Sequence, residues 1–262
     1  MHHKFRSRIV LLFLCMALVV SACSTIAPTA APTDTPQPTA TNTLVPTATF
    51  TPTRTPRPTA TPNLAATQKA EEYQAEVQSY FDQGYLATTE GSMEEVGAFV
   101  QRFAQLDWYS WESLGVNIAE FFMSGHFKWS SAYRNASESG CGFVFAIQED
   151  GSHYVVFLDR ARIIFLDYDA SRGSYSRNVG LTRGTGKVKF DNPFDHPVEA
   201  DFTLIVNDTT AYVLVDKELI GQYTLAESRI LKGDLGLTVL SGTNKDFGTS
   251  CAISDIHFWT PE

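Results

Sequence analysis

This sequence has few basic residues, no glycine before Gly84 and no long apolar run. Of its 262 residues, 20 are Lys or Arg and 29 are Asp or Glu, which gives a net charge of −9. Nucleic-acid binding needs clustered Lys and Arg, so this charge argues against a nucleic-acid partner. All 17 glycines lie at or after Gly84, all four tryptophans lie at or after Trp108, and nine of the 12 prolines lie at or before Pro62. We therefore expect a folded part behind an N-terminal leader that lacks a core.

Residues 1–22 are predicted to be an export signal. An apolar run at 9–20 follows a basic stretch, and it is shorter than the roughly 20 residues that a membrane-spanning helix needs. The sequence VSAC at 20–23 resembles the lipobox of bacterial lipoproteins. That resemblance implies cleavage before Cys23, lipidation of its thiol, and anchorage of the mature chain to the cell membrane or cell surface, outside the cytoplasm. An ordinary signal peptide and an uncleaved membrane anchor are the alternatives.

Residues 23–63 are predicted to form a disordered tether that starts at the lipidated cysteine. The stretch 24–63 contains 14 threonines and nine prolines. Proline fixes φ and removes a hydrogen-bond donor, and so few apolar residues cannot form a core. Such a chain favours extended polyproline II, at about 3.1 Å per residue. The segment is interpreted as a passive stalk, with O-glycosylation of its threonines or a proline-rich docking motif as alternatives.

Residues 64–84 are predicted to form an α-helix. Asn63 can cap its first turn and Gly84 can end it. One apolar stripe runs along it at helical spacing, through Ala66, Ala70, Tyr73, Val77, Tyr80 and Phe81. An isolated helix of this length is marginal in water, so the stripe is expected to pack on the following domain or, alternatively, on a second copy of the chain.

The region 85–104 is predicted to connect the helix to a domain at 105–262. Ser92 and Glu95 match a capping pattern, which predicts a further helical turn at 94–103. From residue 106 onward the pattern changes to period two, with turn residues between short runs. The predicted strands lie at 121–129, 142–148, 154–159, 163–168, 187–190, 200–207, 211–215, 219–225, 235–240 and 252–259. Such strands, without an alternating strand–helix order, predict an all-β, antiparallel two-sheet jelly-roll sandwich.

Three parts of this domain carry a resemblance to a known family. They are GCGFVF and SHYVVFLD within 140–159, AYVLVDKELI at 211–220, and the closing segments DFGT and ISDIHFW within 246–259. Together they resemble concanavalin A-like, laminin-G-like domains over about residues 105–260, and most closely those of uncharacterised secreted lipoproteins with Thr/Pro tethers. The chain departs from that pattern at Asp216-Lys217, where such domains have Asn-Gly. The family includes lectins, glucanases and adhesive modules, so the resemblance implies the fold without fixing the function.

Two cysteines remain for the exported domain. Cys15 lies in the predicted signal peptide and Cys23 is the predicted lipid site, which leaves Cys141 and Cys251. An even number of cysteines in an oxidising compartment favours a disulfide, and each of the two starts a predicted strand. Two buried thiols are the alternative. The six histidines do not lie at ligand spacing from either cysteine, so no zinc site is predicted.

No catalytic motif supports an enzymatic function. The glycosidases of this family resemble one another in a Glu-x-Asp-x-x-Glu run on one strand, which sets two carboxylates on one face, and the sequence does not contain it. The pairs Asp167/Asp169 and Glu149/Asp150 are interpreted as structural. No Ser or Cys lies in a nucleophile elbow and no EF-hand loop is present, so no catalytic residue, metal site or cofactor is predicted, although some laminin-G-like domains bind calcium.

Trp108, Tyr109 and Trp111 form the densest aromatic cluster of the sequence. Planar aromatic faces suit stacking on the apolar faces of sugar rings, so the cluster is a candidate binding surface. Strand alternation places Trp108 on one face and the other two rings on the opposite face, so at most half of the cluster is expected to be exposed together. Core packing of these rings is the alternative.

Tyr168, Arg172 and Tyr175 form the second candidate cluster, in a loop rich in Ser and Gly. Together the two clusters favour a non-catalytic module that binds glycan or another envelope component. One alternative is a structural or protein-interaction module that acts through the helix at 64–83. A degenerate or unrecognised glycoside hydrolase is the other.

Overall fold

The computed structural model of the chain describes residues 64–136, 138–159, 162–177 and 197–262. The predicted signal peptide, the lipidated Cys23, the tether at 23–63 and the strand at 187–190 lie outside the described residues. No helix within the described ranges is both long enough and apolar enough to cross a membrane.

The described residues form one helix, α1 (Leu64–Asp82), followed by 13 strands. The strands are β1 (Gly91–Glu95), β2 (Phe99–Phe103), β3 (Trp108–Ser113), β4 (Phe121–Ser131), β5 (Ser139–Ile147), β6 (His153–Asp159), β7 (Arg162–Asp169), β8 (Ser174–Arg177), β9 (Val198–Asn207), β10 (Thr210–Val215), β11 (Glu218–Thr224), β12 (Asp234–Ser241) and β13 (Thr249–Pro261). Most of the strands predicted from period-two alternation are present, with ends that differ by a few residues.

The strands form two antiparallel sheets. One has seven strands in the order β1-β13-β4-β9-β10-β11, with β2 also paired to β13. The other has six strands in the order β3-β12-β5-β6-β7-β8. This arrangement confirms the predicted all-β, two-sheet jelly-roll sandwich preceded by one helix.

The core lies between the two sheets and is rich in aromatic rings. Phe127 on β4 lies edge-on to Phe143 on β5, with 5.1 Å between ring centroids, and to Phe202 on β9 at 5.0 Å. All three rings are fully buried. Alternate residues of a strand point to opposite faces of its sheet. Phe127 of β4 points into the core, so Ser124 and His126 of the same strand lie on the outer face of the seven-stranded sheet.

The predicted disulfide between Cys141 and Cys251 is present. Cys141 lies on β5 of the six-stranded sheet and Cys251 on β13 of the seven-stranded sheet, with 5.8 Å between their Cα atoms. The bond therefore joins the two sheets through the core and does not link neighbouring strands of one sheet.

Helix α1 packs on the outer face of the seven-stranded sheet. Val77 and Tyr80 are buried there against Phe122, Ile205 and Trp259. The middle of the predicted apolar stripe thus docks on its own domain, which was one of the two expectations. The predicted stripe is too long, because Ala66, Ala70 and Phe81 are exposed. The helix ends at Asp82, two residues before the predicted Gly84, which has a φ of +75° and donates its N–H to the Phe81 carbonyl in the turn that follows.

The prediction for residues 85–104 is wrong. They contain two strands, where a connection and a helical turn were expected. β1 and β2 both pair with β13, so the sandwich begins at Gly91 and not at residue 105. The Ser92 hydroxyl bonds to that of Thr260, and Glu95 pairs with Lys69, so neither side chain caps a helix. Pairing with a distant strand overrides the local capping pattern.

Two turns bear on the sequence predictions. Tyr168 and Tyr175 lie on the paired strands β7 and β8, so Arg172 is the one residue of the second predicted cluster that lies in a turn. At the β10–β11 turn, Asp216 and Lys217 have φ values of +50° and +67°. They adopt the left-handed conformation that Asn-Gly would supply in a two-residue hairpin turn.

Candidate functional site

Five rings lie in contact at the edge of the six-stranded sheet that β3 forms. We call this surface the aromatic platform, and its members are Trp108, Tyr109, Trp111, His153 and Tyr168. The ring centroids are 5.8 Å apart for Tyr109 and Trp111, 4.9 Å for Trp111 and His153, and 5.2 Å for His153 and Tyr168. The platform therefore unites residues of both predicted clusters around a histidine that sequence reasoning did not include.

The two indole rings of the platform are exposed and the ring between them is buried. Trp108 is 45% exposed and Trp111 is 38% exposed, whereas Tyr109 is only 5% exposed. Trp108 stacks on Tyr109 with 5.9 Å between centroids. Alternation places Trp108 and Trp111 on opposite faces of β3, and both are exposed because β3 is the edge strand of its sheet, where both faces meet solvent. Of the three rings in this cluster, Tyr109 alone is packed in the interior, which was the alternative interpretation for the whole cluster.

A buried hydrogen bond fixes the centre of the platform. Nδ1 of His153 donates to the carbonyl of Gly151 at 2.7 Å, which leaves Nε2 of the neutral ring to accept from the Tyr109 hydroxyl at 2.6 Å. Burial lowers the pKa of His153, so the neutral ring is the form present near pH 7. The pair holds the Tyr109 ring in one orientation under the two indoles.

Glycine on β5 makes room for this packing. A side chain at Gly142 would lie 1.9 Å from the Val156 carbonyl oxygen and 2.9 Å from the ring of Phe157. Phe157 in turn meets the Tyr109 ring edge-on, with 5.4 Å between centroids. The absence of a side chain at position 142 thus allows the rings of β6 and β3 to approach each other across the sheet.

The second predicted cluster is only partly brought to the platform. On β7, Tyr168 pairs in register with His153 of β6 on one side and with Tyr175 of β8 on the other. The side chain of Tyr175 lies outside the described residues. Arg172 is exposed in the β7–β8 turn, where its Nε lies 3.5 Å from a carboxylate oxygen of Asp169.

The acidic pairs considered as catalytic candidates make structural contacts. Arg229, from the segment between β11 and β12, lies 3.2 Å from Asp167 and 3.9 Å from Asp169, and donates to the Tyr168 carbonyl at 2.7 Å. Burial raises the pKa of Asp167, and the Arg229 charge opposes that rise. Asp150 accepts hydrogen bonds from Ser152 within a turn. Within the described part of the chain, no group of three or more acidic, His or Cys side chains is placed to hold a metal ion.

A second concave surface lies on the opposite side of the sandwich, and sequence reasoning missed it. We call it the helix groove. It has a volume of about 660 Å³ and lies between α1 and the polar half of the outer face of the seven-stranded sheet. Tyr73 and Glu76 line it from the helix, and Ser124, His126 and Asp201 line it from the sheet.

A chain of hydrogen bonds crosses the helix groove from sheet to helix. The Ser124 and Thr203 hydroxyls lie 2.9 Å apart, and Thr203 lies 3.5 Å from the Tyr80 hydroxyl. Tyr80 donates to Glu76 at 2.9 Å, and the other oxygen of Glu76 lies 2.8 Å from Nε2 of His257. Apart from Glu76 and Tyr80, which are one helical turn apart on α1, these partners are distant in the sequence, so no local motif signals them.

A histidine that lines the helix groove is held by a carboxylate. Nδ1 of His126 lies 2.9 Å from Asp201, which is the arrangement of a histidine oriented by a carboxylate. The nearby Ser124 hydroxyl, however, bonds to Thr203. The described groups of the groove therefore include an oriented histidine and several hydroxyls, but no hydroxyl bonded to that histidine for activation.

Comparisons with known proteins give only distant similarities. The sequence matches no protein-family profile and no curated protein. Among solved structures, the chain is similar to a carbohydrate-binding module of Bacillus subtilis, with 11% identity, coverage of 67% of this chain and 99% of that one, and a TM-score of 0.42. It is also similar to sheep galectin-11 in complex with glycerol, with 10% identity, 60% and 99% coverage, and a TM-score of 0.36. A Bacillus licheniformis β-glucanase shows 8% identity, 64% and 100% coverage, and a TM-score of 0.38.

The two sheets themselves define the class of fold. Their antiparallel strands and sheet order are those of a two-sheet jelly-roll β-sandwich. The function has to be argued from the aromatic platform and the helix groove, since such sandwiches serve many functions.

Proposed function

We propose that the β-sandwich is a non-catalytic glycan-binding module in which sugar rings stack on the aromatic platform. The observation that carries this proposal is the pair of exposed indole rings, Trp108 and Trp111, on either side of the buried Tyr109 ring. An indole face suits the apolar face of a sugar ring. The hydrogen bond between Tyr109 and His153 orders the surface before a ligand arrives, which reduces the entropy cost of binding.

The proposed module acts outside the cytoplasm on a lipid anchor at Cys23. Removal of residues 1–22 takes away three basic and no acidic residues, so the mature chain is more acidic than the full chain. Anionic lipid headgroups repel such a chain. Acyl chains, each buried CH₂ of which contributes about 0.8 kcal/mol, are therefore the proposed means of attachment. A glycan or another component of the cell envelope is the proposed partner.

The contacts of α1 and of the acidic residues support this function over its two alternatives. Val77 and Tyr80 are buried on the chain's own sheet, which leaves less apolar surface of the helix for a protein partner. Asp167 and Asp169 both face the guanidinium group of Arg229, so these two carboxylates form ion pairs that stabilise the fold. Both observations favour a binding role for the outer face of the six-stranded sheet.

A glycan array probed with the full chain in detergent tests the proposal. We expect retention on at least one class of polysaccharide. Trp111→Ala should weaken that retention by about 1–3 kcal/mol while leaving the melting temperature nearly unchanged, because the ring is a partly exposed contact. Val100→Ala, which shortens an exposed apolar side chain on β2 of the other sheet, is the matched control and should not change retention.

Two results would count against the proposal. Absence of binding to every glycan on the array would reject the glycan-binding function. Binding that Trp111→Ala and Trp108→Ala both leave unchanged would retain the function but move it away from the aromatic platform.

A further inference from the structure

One ion pair joins helix α1 to the seven-stranded sheet beside the apolar contact of Val77 and Tyr80. Nε2 of His257 on β13 lies 2.8 Å from Oε2 of Glu76, and Nδ1 of His257 lies 3.0 Å from the Asp255 carbonyl oxygen. A carbonyl and a carboxylate both accept hydrogen bonds. Both ring nitrogens of His257 therefore donate, and the contact is complete only with the protonated imidazolium ring.

The surroundings of His257 contain charges of both signs. From α1, Glu76 faces the ring, Tyr73 packs on it with 4.7 Å between centroids, and Lys69 lies further along the same helix face. From β1, Glu95 is the register partner of His257 and pairs with Lys69 at 2.7 Å.

The remaining neighbours come from the sheet and from α1. On β4, Ser124 is the register partner of His257, Phe122 meets the ring edge-on, and His126 lies two residues beyond Ser124. On β13 itself, Asp255 supplies a backbone carbonyl to the ring. The phenol of Tyr80 shares the Glu76 carboxylate from the helix.

The balance of these groups favours the protonated ring. Burial opposes the charge of His257, but the hydrogen bond to Glu76 and the Glu76 charge outweigh it, and the pKa of His257 is raised above its ordinary value of 6.5. The side chains are 12% and 21% exposed for His257 and Glu76, so solvent screens the pair only in part.

We propose that helix α1 is a pH-sensitive wall of the helix groove, which lies firmly on the sheet while His257 is protonated and loosens when the ring loses its proton. The sign follows from linkage. A histidine whose pKa is higher in the docked state stabilises docking fully at pH values below its unperturbed pKa. This stabilisation disappears as the pH rises through the pKa of the docked state. The helix groove has α1 on one side and the sheet on the other, so it keeps its shape only while α1 is docked.

This proposal is independent of glycan binding by the aromatic platform, which lies on the other sheet. It predicts a local event in α1 and no change in the sandwich. The apolar contact of Val77 and Tyr80 remains at every pH, so we expect loosening of the helix and not its complete release.

Amide hydrogen exchange of the full chain between pH 6 and pH 8.5, corrected for the intrinsic exchange rate, tests the proposal. Protection of peptides within 64–83 should fall several-fold across this range, while that of peptides from β5 and β6 stays constant. His257→Gln should give low helix protection with no dependence on pH. The matched control is His126→Gln, which alters a histidine on the same sheet face that pairs with Asp201, and it should behave as the native chain does.

Glu76→Gln tests the same contact from the helix side and does not depend on the folding of the β13 variant. It keeps the shape of the side chain, removes its charge, and should also abolish the pH dependence. Helix protection that is constant with pH in the native chain would overturn the proposal. So would a fall that persists in both His257→Gln and Glu76→Gln, or a titration of His257, followed by NMR, that is centred at or below 6.5.

Discussion

Cys141 on β5 and Cys251 on β13 are bonded across the core of the sandwich, with 5.8 Å between their Cα atoms and a sequence separation of 110. Both residues are fully buried. The bond closes a long loop that includes strands of both sheets, so it restricts the unfolded chain more than a bond between two strands joined by a short turn would.

Reduction of this disulfide should lower stability without unfolding the domain. The loop-entropy estimate for 110 residues is about 4–5 kcal/mol, and the aromatic core between the sheets keeps the fold. Urea unfolding with and without reductant measures the difference. The variant Cys141→Ala/Cys251→Ala is the control, because reductant should not change its midpoint. Two alkylated thiols in exported protein under non-reducing conditions would contradict the prediction.

Tyr109→Phe should destabilise the sandwich by about 1–3 kcal/mol. It removes the donor to Nε2 of the buried His153 and leaves that atom without its partner in the platform. Tyr85→Phe is the matched control, since Tyr85 packs on Tyr212 and lies only partly buried, and we expect a change within about 0.5 kcal/mol. Thermal unfolding measures both, and equal losses would show that the Tyr109 hydroxyl has no special role.

Gly142→Ala should destabilise the domain by about 1–3 kcal/mol or more. Its new methyl group would overlap the Val156 carbonyl oxygen, which is backbone and cannot move without disturbing the pairing of β5 with β6. Gly97→Ala is the control, because nothing lies within 4 Å of the added atom and its φ is not positive. A chemical denaturation midpoint unchanged in both variants would refute the crowding argument.

Arg229→Met should cost about 1–3 kcal/mol of stability, whereas Arg172→Met should change it by no more than about 0.5 kcal/mol. Arg229 is 15% exposed, and its loss leaves Asp167 without the cation that faces it and the Tyr168 carbonyl without its hydrogen-bond donor. Arg172 is 79% exposed and pairs only loosely with Asp169. Urea unfolding of the two variants decides the matter, and a larger loss for Arg172→Met would reverse our assignment of their roles.

Cys23→Ser should release the chain from the membrane fraction. Serine cannot carry the thioether-linked lipid that the lipobox resemblance implies, and the acidic mature chain has no electrostatic attraction to anionic lipid. Fractionation of cells that express either form measures the effect, and mass spectrometry of the N-terminal peptide detects the acyl groups. A native chain without acyl mass, together with unchanged fractionation, would exclude the lipid anchor.

Alternation along the central strands explains why the fold could be predicted from the sequence. On β4, the inward residues Phe121, Met123 and Phe127 are apolar, while Ser124 and His126 between them are polar. One face is buried by the core and the other is only partly covered by α1, so the period of two is visible without any structure.

The strands β1 and β2 could not be predicted in the same way. Both are five residues long and are mostly exposed or half-buried, so little of their sequence is selected for core packing. Their partner β13 lies near the other end of the domain. Ser92 and Glu95 instead match a local helix signal, and only the distant pairing decides against it.

The candidate sites were predictable only where their residues are close in sequence. Trp108, Tyr109 and Trp111 are visible as a cluster, but nothing local connects them to His153, which joins them through a strand three positions away in the sheet. The helix groove has no sequence signal, because Glu76 and His257 are brought together by the docking of α1.

The many pairings of β13 bear on how fast the domain folds. β1, β2 and β4 all take β13 as a partner, and Gly91 pairs with Pro261 at the far end of the domain. Contacts between such distant residues require closure of long loops before they contribute any stability, and proteins that depend on them fold slowly. Until β13 arrives, three strands of the seven-stranded sheet have open edges that can pair with another chain. We therefore expect refolding on a timescale of milliseconds to seconds, with aggregation competing with it at high protein concentration.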